Sequence, residues 1–388
     1  MVKGEMMNNT LGIYIHIPFC RQKCYYCDFS SYVLDEDIWD KYVESLLDEI
    51  SIRGEKLGLL KVDTIFFGGG TPSLMGPERL KRVLDRLRKY FVIEEKAEIT
   101  FEANPETVNL DEWQYYRKIG FNRVSIGVQS LRDNELKACG RIHSGERAIE
   151  AVVGAQDAGF ERINMDLMFG IPEQTFESLK RTVDEALTLP IEHLSIYGLQ
   201  LEEGTQFSRW KKQGKLILPS EEIVAQMYDW LLEYLPSKGF ERYEISNFAK
   251  FGGESRHNLK YWHYQPYVGF GSGACGFDGE KRQVNPEVVD EYIGWVERLR
   301  NDFQNINYEK LTSNQKMAEF CFMGLRTIEG ILIKDFYDYF GVSLMEIYRE
   351  SIEKALREEW IQVTQNRIRP TPMGLKWNNR LGELFLLG

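Results

Sequence analysis

Short apolar runs alternate with longer charged segments over roughly the first half of the chain. Each run is nearly continuous rather than alternating in polarity, as expected for strands that are covered on both faces. The pattern therefore predicts buried strands of a parallel sheet. The predicted strands are Leu11–Ile17, Val62–Phe67, Glu98–Glu102, Arg123–Val128, Arg162–Leu167 and His193–Leu199.

Helical patterns fill the intervals between these strands and follow the last one. Pro77 and Leu110 stand where helices begin, and Gly120 and Gly159 stand where helices end. Successive βα units predict a parallel sheet with right-handed crossovers, and six strands are too few for a closed eight-stranded barrel. We therefore predict an α/β fold with an open, partial (β/α)6 barrel similar to a TIM barrel. The predicted helices are Asp37–Leu57, Pro77–Tyr90, Leu110–Ile119, Ser144–Ala158, Thr175–Leu187 and Ser220–Leu235.

The pattern changes twice after the predicted barrel. Residues 237–300 are rich in aromatic residues and glycine and contain the stretch HNLKYW, which suits an irregular pocket wall. The remaining residues predict helices and then a short hairpin, as in a winged-helix-like domain. We expect a barrel core at 1–236, the pocket-wall segment at 237–300 and a mostly helical domain at 301–388. The last part is predicted to contain Leu311–Arg326, Lys334–Phe340, Ser343–Glu358, Ile361–Thr364 and Arg367–Pro370.

Composition narrows the class of protein. Hydrophobic residues make up 43% and charged residues 28% of the 388 residues, which is typical of a soluble globular protein. The net charge of -11 argues against nucleic-acid binding, because phosphate contacts need clustered Lys and Arg. No apolar run approaches the roughly 18 residues of a membrane span, and the first ten residues lack the apolar core of a secretory signal. We expect a cytoplasmic protein.

Three of the six cysteines are crowded into the loop after the first predicted strand. Cys20, Cys24 and Cys27 are separated by three and then two residues, whereas the other cysteines are far apart. This spacing does not suit a disulfide framework, and zinc usually takes four ligands from paired C-x2-C spacings. Three thiolates on a four-iron cluster leave one iron without a protein ligand. We predict a [4Fe–4S] cluster with one iron open to another molecule.

Polar and glycine-rich positions follow the other predicted strands. Gly68–Thr71 follow the second strand, Glu102 ends the third, Gln129 follows the fourth and Asp166 lies near the end of the fifth. The carboxyl ends of parallel strands meet at one rim of a barrel, and functional residues collect there. The sequence therefore predicts one site at this rim, although each position taken alone also suits a tight turn or a polar strand end facing water.

The cysteine spacing, followed by GGGTP after the second strand, resembles the radical S-adenosylmethionine superfamily. The resemblance implies that the open iron chelates the amino and carboxylate groups of S-adenosylmethionine. It also implies that reduction by an electron donor cleaves this cofactor to methionine and a 5'-deoxyadenosyl radical. Tyr26 would lie against the adenine, and Arg141 would pair with the cofactor carboxylate. The implied cofactor pocket comprises Tyr14, Tyr26, Gly69, Gly70, Thr71, Glu102, Gln129, Arg141 and Asp166.

Longer stretches resemble the relatives of oxygen-independent coproporphyrinogen III oxidase, among them YIHIPFC, GGGTPS, IGVQS, MDLMFGIPEQT and YEISNFA. Two features differ from that oxidase. Phe29 stands where the oxidase has a further cysteine, and only about ten residues precede the first strand, where the oxidase has a long extension. Both differences are features of a sister family, the heme chaperones called HemW. The chain is therefore identified as resembling this family.

The stretch HNLKYW, residues 257–262, resembles a motif HNxxYW that is associated with heme binding in the chaperone family. The resemblance implies that His257 contacts heme. Imidazole is a good ligand for heme iron, and tyrosine and tryptophan provide apolar surfaces for a macrocycle. The alternative is that His257 forms hydrogen bonds inside a packed aromatic wall of the barrel.

Three functions remain open from the sequence. In the first, the protein binds the cluster, S-adenosylmethionine and heme and delivers heme to an acceptor protein, with an electron donor as a second partner. In the second, it decarboxylates coproporphyrinogen III oxidatively. In the third, it carries out another radical reaction on a different substrate. Phe29 and the HNLKYW stretch favour the first function, for which no catalytic residue is predicted.

Overall fold

The computed structural model of the protein describes residues 10–33, 36–300, 306 and 308–386. Its centre is a set of parallel strands that pair in chain order, each with the next. All six predicted barrel strands are present; β3 begins six residues earlier than predicted, and the other strand ends differ by at most two residues. Strands β1 to β6 are Leu11–Ile17, Lys61–Gly69, Val92–Ala103, Arg123–Gln129, Arg162–Phe169 and His193–Gly198.

Helices follow these strands and cover the sheet with apolar faces. Helix α2 buries Leu80, Val83, Leu84 and Leu87, spaced so that they lie on one side of a helix. The side chain of Asn109 caps α3 by accepting a hydrogen bond from the third residue of the helix. Two short helices, α4 and α7, are additional to those predicted. Helices α1 to α8 are Glu36–Leu57, Pro77–Tyr90, Leu110–Ile119, Asp133–Ala138, Gly145–Asp157, Phe176–Ala186, Gln206–Lys212 and Glu221–Ser237.

The sheet continues beyond β1 and β6 but does not close. On one side β9 pairs parallel with β1, and on the other side β8 pairs antiparallel with β6. The strand order is β12-β11-β10-β9-β1-β2-β3-β4-β5-β6-β8-β7, with two free ends. The prediction of an open, partial barrel is therefore confirmed. Strands β7 to β12 are Glu241–Arg242, Asn247–Ala249, Tyr267–Phe270, Cys275–Phe277, Lys281–Val284 and Tyr308–Lys310.

The aromatic segment is more regular than predicted. Helix α9, Arg256–Trp262, contains the HNLKYW stretch and begins after Ser255, whose side chain caps it. Helix α10, Val289–Leu299, packs against α1. The predicted boundary at residue 301 and residues 1–9 of the predicted barrel core lie outside the described residues. The division into three regions therefore stays a prediction.

The C-terminal region is mostly helical with a small antiparallel sheet of order β13-β15-β14, as predicted. It has its own apolar core around Phe336, Leu344 and Ile368. The helix predicted at 343–358 is divided in two at Tyr348. None of the described helices is long and apolar enough to cross a membrane. The elements are α11 Ser313–Gly324, β13 Ile331–Leu332, α12 Ile333–Phe340, α13 Leu344–Ile347, α14 Arg349–Arg357, β14 Ile361–Val363, β15 Arg367–Pro370, α15 Pro372–Lys376 and α16 Asn378–Glu383.

Candidate functional site

The interior of the partial barrel contains a cavity of about 920 Å³. This volume is at the upper end of the roughly 300–1,000 Å³ that small-molecule sites usually have. The cavity extends from the cysteine loop to Arg123, the first residue of β4, and to Asn258 on α9. It therefore runs along the barrel rather than only across its rim. The predicted site residues that line it are Cys20, Cys24, Cys27, Tyr26, Gly69, Gly70, Thr71, Glu102, Gln129, Arg141 and Asp166.

The three thiols of the cysteine loop all face this cavity. The Thr71 hydroxyl lies 3.6 Å from the Cys20 Sγ, and an Arg141 guanidinium nitrogen lies 3.4 Å from the Cys24 Sγ. Burial raises the pKa of the Cys20 thiol and raises that of Cys27 to about 11. The loop by itself thus disfavours thiolates, so stable thiolates there require a positively charged partner such as iron.

This donor set fits an iron–sulfur cluster better than a single metal ion. Within the described ranges, no group of three or more His, Cys, Asp or Glu side chains is placed to hold one ion. The thiolates of a four-iron cluster bind different irons and need not converge on one point. Sulfur ligands from a short loop, with a cation and a hydroxyl beside them, are chemically suited to such a cluster.

The glycine loop after β2 is fixed against the cysteine loop by backbone hydrogen bonds. The Gly70 N–H donates to the Ile17 carbonyl at 2.7 Å, and the Thr71 N–H donates to the Phe19 carbonyl at 2.7 Å. A Cβ atom on Gly70 would lie 2.6 Å from that same Phe19 carbonyl, which explains the need for glycine. An ammonium group of a ligand only donates hydrogen bonds, so at this loop it would pair with carbonyl oxygens.

Arg141 connects the cysteine loop to the ends of β3 and β4. Its guanidinium donates to the Asn104 side-chain oxygen at 2.7 Å and to the Gly127 carbonyl at 2.6 Å. Asn104 in turn donates to the Thr71 hydroxyl at 3.1 Å. The sequence analysis missed Asn104, although it follows Glu102 by two residues at the same strand end. The cation is therefore held in place beside the cluster loop.

Glu102 and Asp166 form a partly buried acidic pair that lines the cavity. Glu102 accepts a hydrogen bond from the Gly69 N–H at 3.1 Å, and Asp166 accepts from the Ser125 hydroxyl at 2.9 Å. Burial, followed by the nearby Asp166 charge, raises the pKa of Glu102 to about 8. Burial also raises the pKa of Asp166. These carboxyl groups are suited to accept hydrogen bonds from ligand hydroxyl groups.

Gln129 has an unusual backbone at the end of β4. Its φ angle is 68°, in the left-handed region that residues other than glycine seldom adopt. The pairing of β4 with β5 shifts register between Gly127 and Gln129. Such irregularities are concentrated at functional sites, where they redirect a side chain. Gln129 lines the cavity as a result of this irregularity.

The two predicted tyrosines lie in different surroundings. Tyr26 lines the cavity and packs against Phe207, with ring centroids 6.4 Å apart. Tyr14 is not among the residues that line the cavity; its hydroxyl lies 3.1 Å from the Nδ1 of His16 and its ring stacks on Phe66. Tyr14 therefore lies behind the cavity wall, against Phe66, which lines the cavity. The direct contact with the cofactor that the resemblance implies for Tyr14 stays a prediction.

His257 is completely buried on the inner face of α9. Its Nδ1 lies 2.9 Å from the Thr64 hydroxyl and its Nε2 lies 2.8 Å from the Tyr261 hydroxyl. Burial lowers the pKa of His257 to about 3, so the ring is neutral at physiological pH. Both ring nitrogens are thus engaged, which agrees with the alternative of a packed aromatic wall. Asn258, the next residue, lines the cavity instead.

The C-terminal region contributes residues to the cavity that sequence reasoning missed. Arg326 follows α11, while Trp377 and Arg380 lie at and after the junction of α15 and α16. Trp377 remains partly exposed beside the Arg380 guanidinium, 4.9 Å from its ring centroid. No local pattern marks these residues, because only the packing of this region against the barrel brings them to the site.

Two family profiles and one solved structure match this chain. A profile of the Radical SAM superfamily matches residues 14–186, and a profile of the HemN C-terminal domain matches residues 311–377. A solved structure of the coproporphyrinogen III oxidase HemN from Escherichia coli, described as a radical SAM enzyme, superposes with a TM-score of 0.84. It covers 97% of this chain and 90% of its own at 21% identity, which shows similarity of fold alone.

Two curated relatives are similar over nearly their whole length. The protein named heme chaperone HemW from Bacillus subtilis is 35% identical, over 96% of this chain and 98% of its own. The protein of the same name from Escherichia coli is 34% identical, over 97% of this chain and 98% of its own. The alignments therefore include both the barrel and the C-terminal region.

Proposed function

The chain belongs to the family of the heme chaperone HemW, and we propose that it binds a [4Fe–4S] cluster, S-adenosylmethionine and heme and passes the heme to an acceptor protein. The observation that carries this proposal is the similarity to relatives of that name over almost the complete chain. The cavity supports it, because it runs from the cysteine loop to the helix with the HNLKYW stretch.

The cluster end of the cavity has the groups that the two cofactors need. Cys20, Cys24 and Cys27 would hold the cluster, which when bound and reduced supplies an electron to S-adenosylmethionine. Arg141 would neutralise the carboxylate of that cofactor. The carbonyls near Gly69 and Gly70 and the hydroxyl of Thr71 would face its ammonium group, and Tyr26 its adenine. Glu102, Gln129 and Asp166 are the candidates for its remaining polar groups.

Heme would occupy the part of the cavity between this end and α9. Contact of His257 with heme stays a prediction from the family resemblance. Coordination of iron by one ring nitrogen of His257 would require the hydrogen bond at that nitrogen, to Thr64 or to Tyr261, to break. A heme-accepting protein and an electron donor are the partners that this function requires.

The alternative function is oxidative decarboxylation of coproporphyrinogen III. It needs a test because the fold is similar to that of HemN. Phe29 argues against it. This side chain is 64% exposed and lines the cavity at the position where the resemblance to the oxidase implies a cysteine.

One paired assay separates the two functions. Anaerobically reconstituted protein is titrated with heme and then mixed with a soluble apo-cytochrome. In parallel it receives a reductant, S-adenosylmethionine and coproporphyrinogen III. We expect stoichiometric heme uptake, transfer of heme to the apo-cytochrome and no protoporphyrinogen. Absence of heme uptake, or robust formation of protoporphyrinogen, would contradict the chaperone function.

A further inference from the structure

Three cationic side chains of the C-terminal region line the cavity, and among the described residues only one of them forms an ion pair. Lys376 forms an ion pair with Asp229 at 2.7 Å, and Arg380 lies over the ring of Trp377. The guanidinium of Arg326 makes neither a hydrogen bond nor an ion pair with any residue of the described ranges, and its Nε is buried without a partner. A buried donor of a charged group without a partner costs free energy, so this guanidinium is suited to bind an acceptor from a ligand.

Aromatic rings hold Arg326 in place. Its guanidinium lies 4.9 Å from the ring centroid of Trp262 and 5.7 Å from that of Phe322. Contacts of this kind fix a planar guanidinium without using its hydrogen-bond donors. The donors thus remain available to a ligand in the cavity. Trp262 is the last residue of the HNLKYW stretch, so that stretch positions Arg326.

Glu244 is an acidic group that attracts Arg326 electrostatically. It does not satisfy the arginine, because the two side chains form no ion pair and the Glu244 Oε1 is itself buried without a hydrogen-bond partner. Arg141, a cation that also lines the cavity, is already bound to Asn104 and Gly127 beside the cysteine loop. Arg141 is therefore available to a ligand beside the cysteine loop, whereas Arg326 is available at the end of the cavity near Trp262.

We propose that Arg326 binds a carboxylate of the heme carried in this cavity and that Trp262 is the residue that positions it. This inference rests on the proposed function. Heme combines a flat apolar macrocycle with two carboxylates, which matches an unpaired guanidinium next to exposed aromatic surfaces such as Trp377. The HNLKYW stretch thereby acts on heme through Trp262 and Arg326, a role that does not require His257 to reach the iron.

The test compares heme with its dimethyl ester, which has the same macrocycle but no carboxylate charge. Wild-type protein should bind heme about tenfold more tightly than the ester, as expected for one charge-assisted pair. Arg326→Met should weaken heme binding about tenfold, leave ester binding unchanged and so remove the preference. Arg326→Lys should retain part of it. Trp262→Leu should weaken heme binding by about threefold, because the guanidinium loses its support.

Arg357→Met is the matched control, since Arg357 is an exposed arginine of the same region that does not line the cavity. Circular dichroism and S-adenosylmethionine affinity check that each variant is folded. The inference is overturned if Arg326→Met keeps wild-type heme affinity, weakens heme and ester equally, or weakens S-adenosylmethionine instead. If wild-type protein binds neither porphyrin, the proposed heme function fails as well. The two failures are thereby distinguishable.

Discussion

The two ends of the cavity use their sequence motifs in different ways. At the cluster end, the residues that define the motifs face the cavity themselves, as Cys20, Gly70 and Thr71 do. At the α9 end, the most distinctive residue of the motif, His257, points into the protein and is fully buried. The motif residues of the first end face a ligand directly, whereas those of the second end mainly support other residues.

The difference follows from the elements that carry the motifs. A loop at the carboxyl end of a parallel strand has to point toward the rim, so a motif there is close to the site whatever its details. A helix has several faces, and residues three or four positions apart share one of them. His257, Lys260 and Tyr261 thus turn inward together, and Asn258 and Trp262 fall on another face. A motif on a helix therefore does not show which of its residues meets the ligand.

The largest expected effect concerns the cluster end. Changing any one of Cys20, Cys24 or Cys27 to alanine should abolish the iron–sulfur cluster, because three thiolates leave no spare ligand. Iron content and the brown absorption after anaerobic reconstitution measure this. Cys275→Ser is the control, because Cys275 lies on β10 and does not line the cavity. A cluster that persists in one of these variants would mean that the replaced thiol is not a ligand of the cluster.

Much of the fold could be predicted because hydrophobic patterns report burial on both faces of a strand. The barrel strands were recognised on this basis, and α2 and α3 begin and end where predicted. The parallel strand β9 was missed. It has only four residues, Tyr267–Phe270, and one of them is Gly269, against which the Cys275 carbonyl packs so closely that a Cβ would not fit. Its strand conformation comes from pairing with β1, which is distant in sequence.

The site was predictable where strand ends determine it and unpredictable where packing does. Glu102 and Asp166 reach the cavity because they lie on neighbouring parts of one sheet. Arg326 and Trp377 reach it only because a separate apolar core holds the C-terminal region against the barrel. Their neighbours in sequence carry no sign of this, so no local pattern could identify them.

The second effect tests whether the two hydrogen bonds of the buried His257 ring stabilise the α9 end. His257→Ala should reduce the free energy of unfolding by about 3 kcal/mol, because it creates a cavity and leaves the Thr64 and Tyr261 hydroxyls without their partner. Denaturant unfolding at neutral pH measures it. If the variant is as stable as wild type but no longer binds heme, His257 is a heme ligand and the contrast between the two ends is wrong.

The third effect is a pH dependence at the cluster end. The pKa of Glu102 is about 8 in the folded protein and about 4.5 ordinarily, so between these values the folded protein holds a proton that the unfolded chain releases. The free energy of unfolding of the cluster-free protein should therefore fall as pH rises, by up to about 1.4 kcal/mol per pH unit near pH 6. Glu102→Gln should remove this contribution, and Asp166→Asn should move it to lower pH.

Thermal or denaturant unfolding at several pH values measures that slope. Its absence from wild-type protein, or an unchanged slope in Glu102→Gln, would show that the acidic pair is not held as the structure has it. A neutral Glu102 at moderately acidic pH would still accept a hydrogen bond from a ligand hydroxyl. The pair would then contribute to ligand binding over a wide pH range.

The smallest expected effect separates the two neighbours His257 and Asn258. Asn258→Ala removes a side chain that lines the cavity and leaves intact the backbone hydrogen bond from its N–H to the Ser255 cap. Its stability should stay within about 0.5 kcal/mol of wild type, since no buried partner is lost. Heme affinity should fall by about threefold, as expected for one neutral polar contact.

The two variants, His257→Ala and Asn258→Ala, are compared by isothermal titration with heme and by denaturant unfolding. His257→Ala should change mainly stability and Asn258→Ala mainly affinity. The reverse pattern would mean that α9 turns its other face to the heme when the ligand binds.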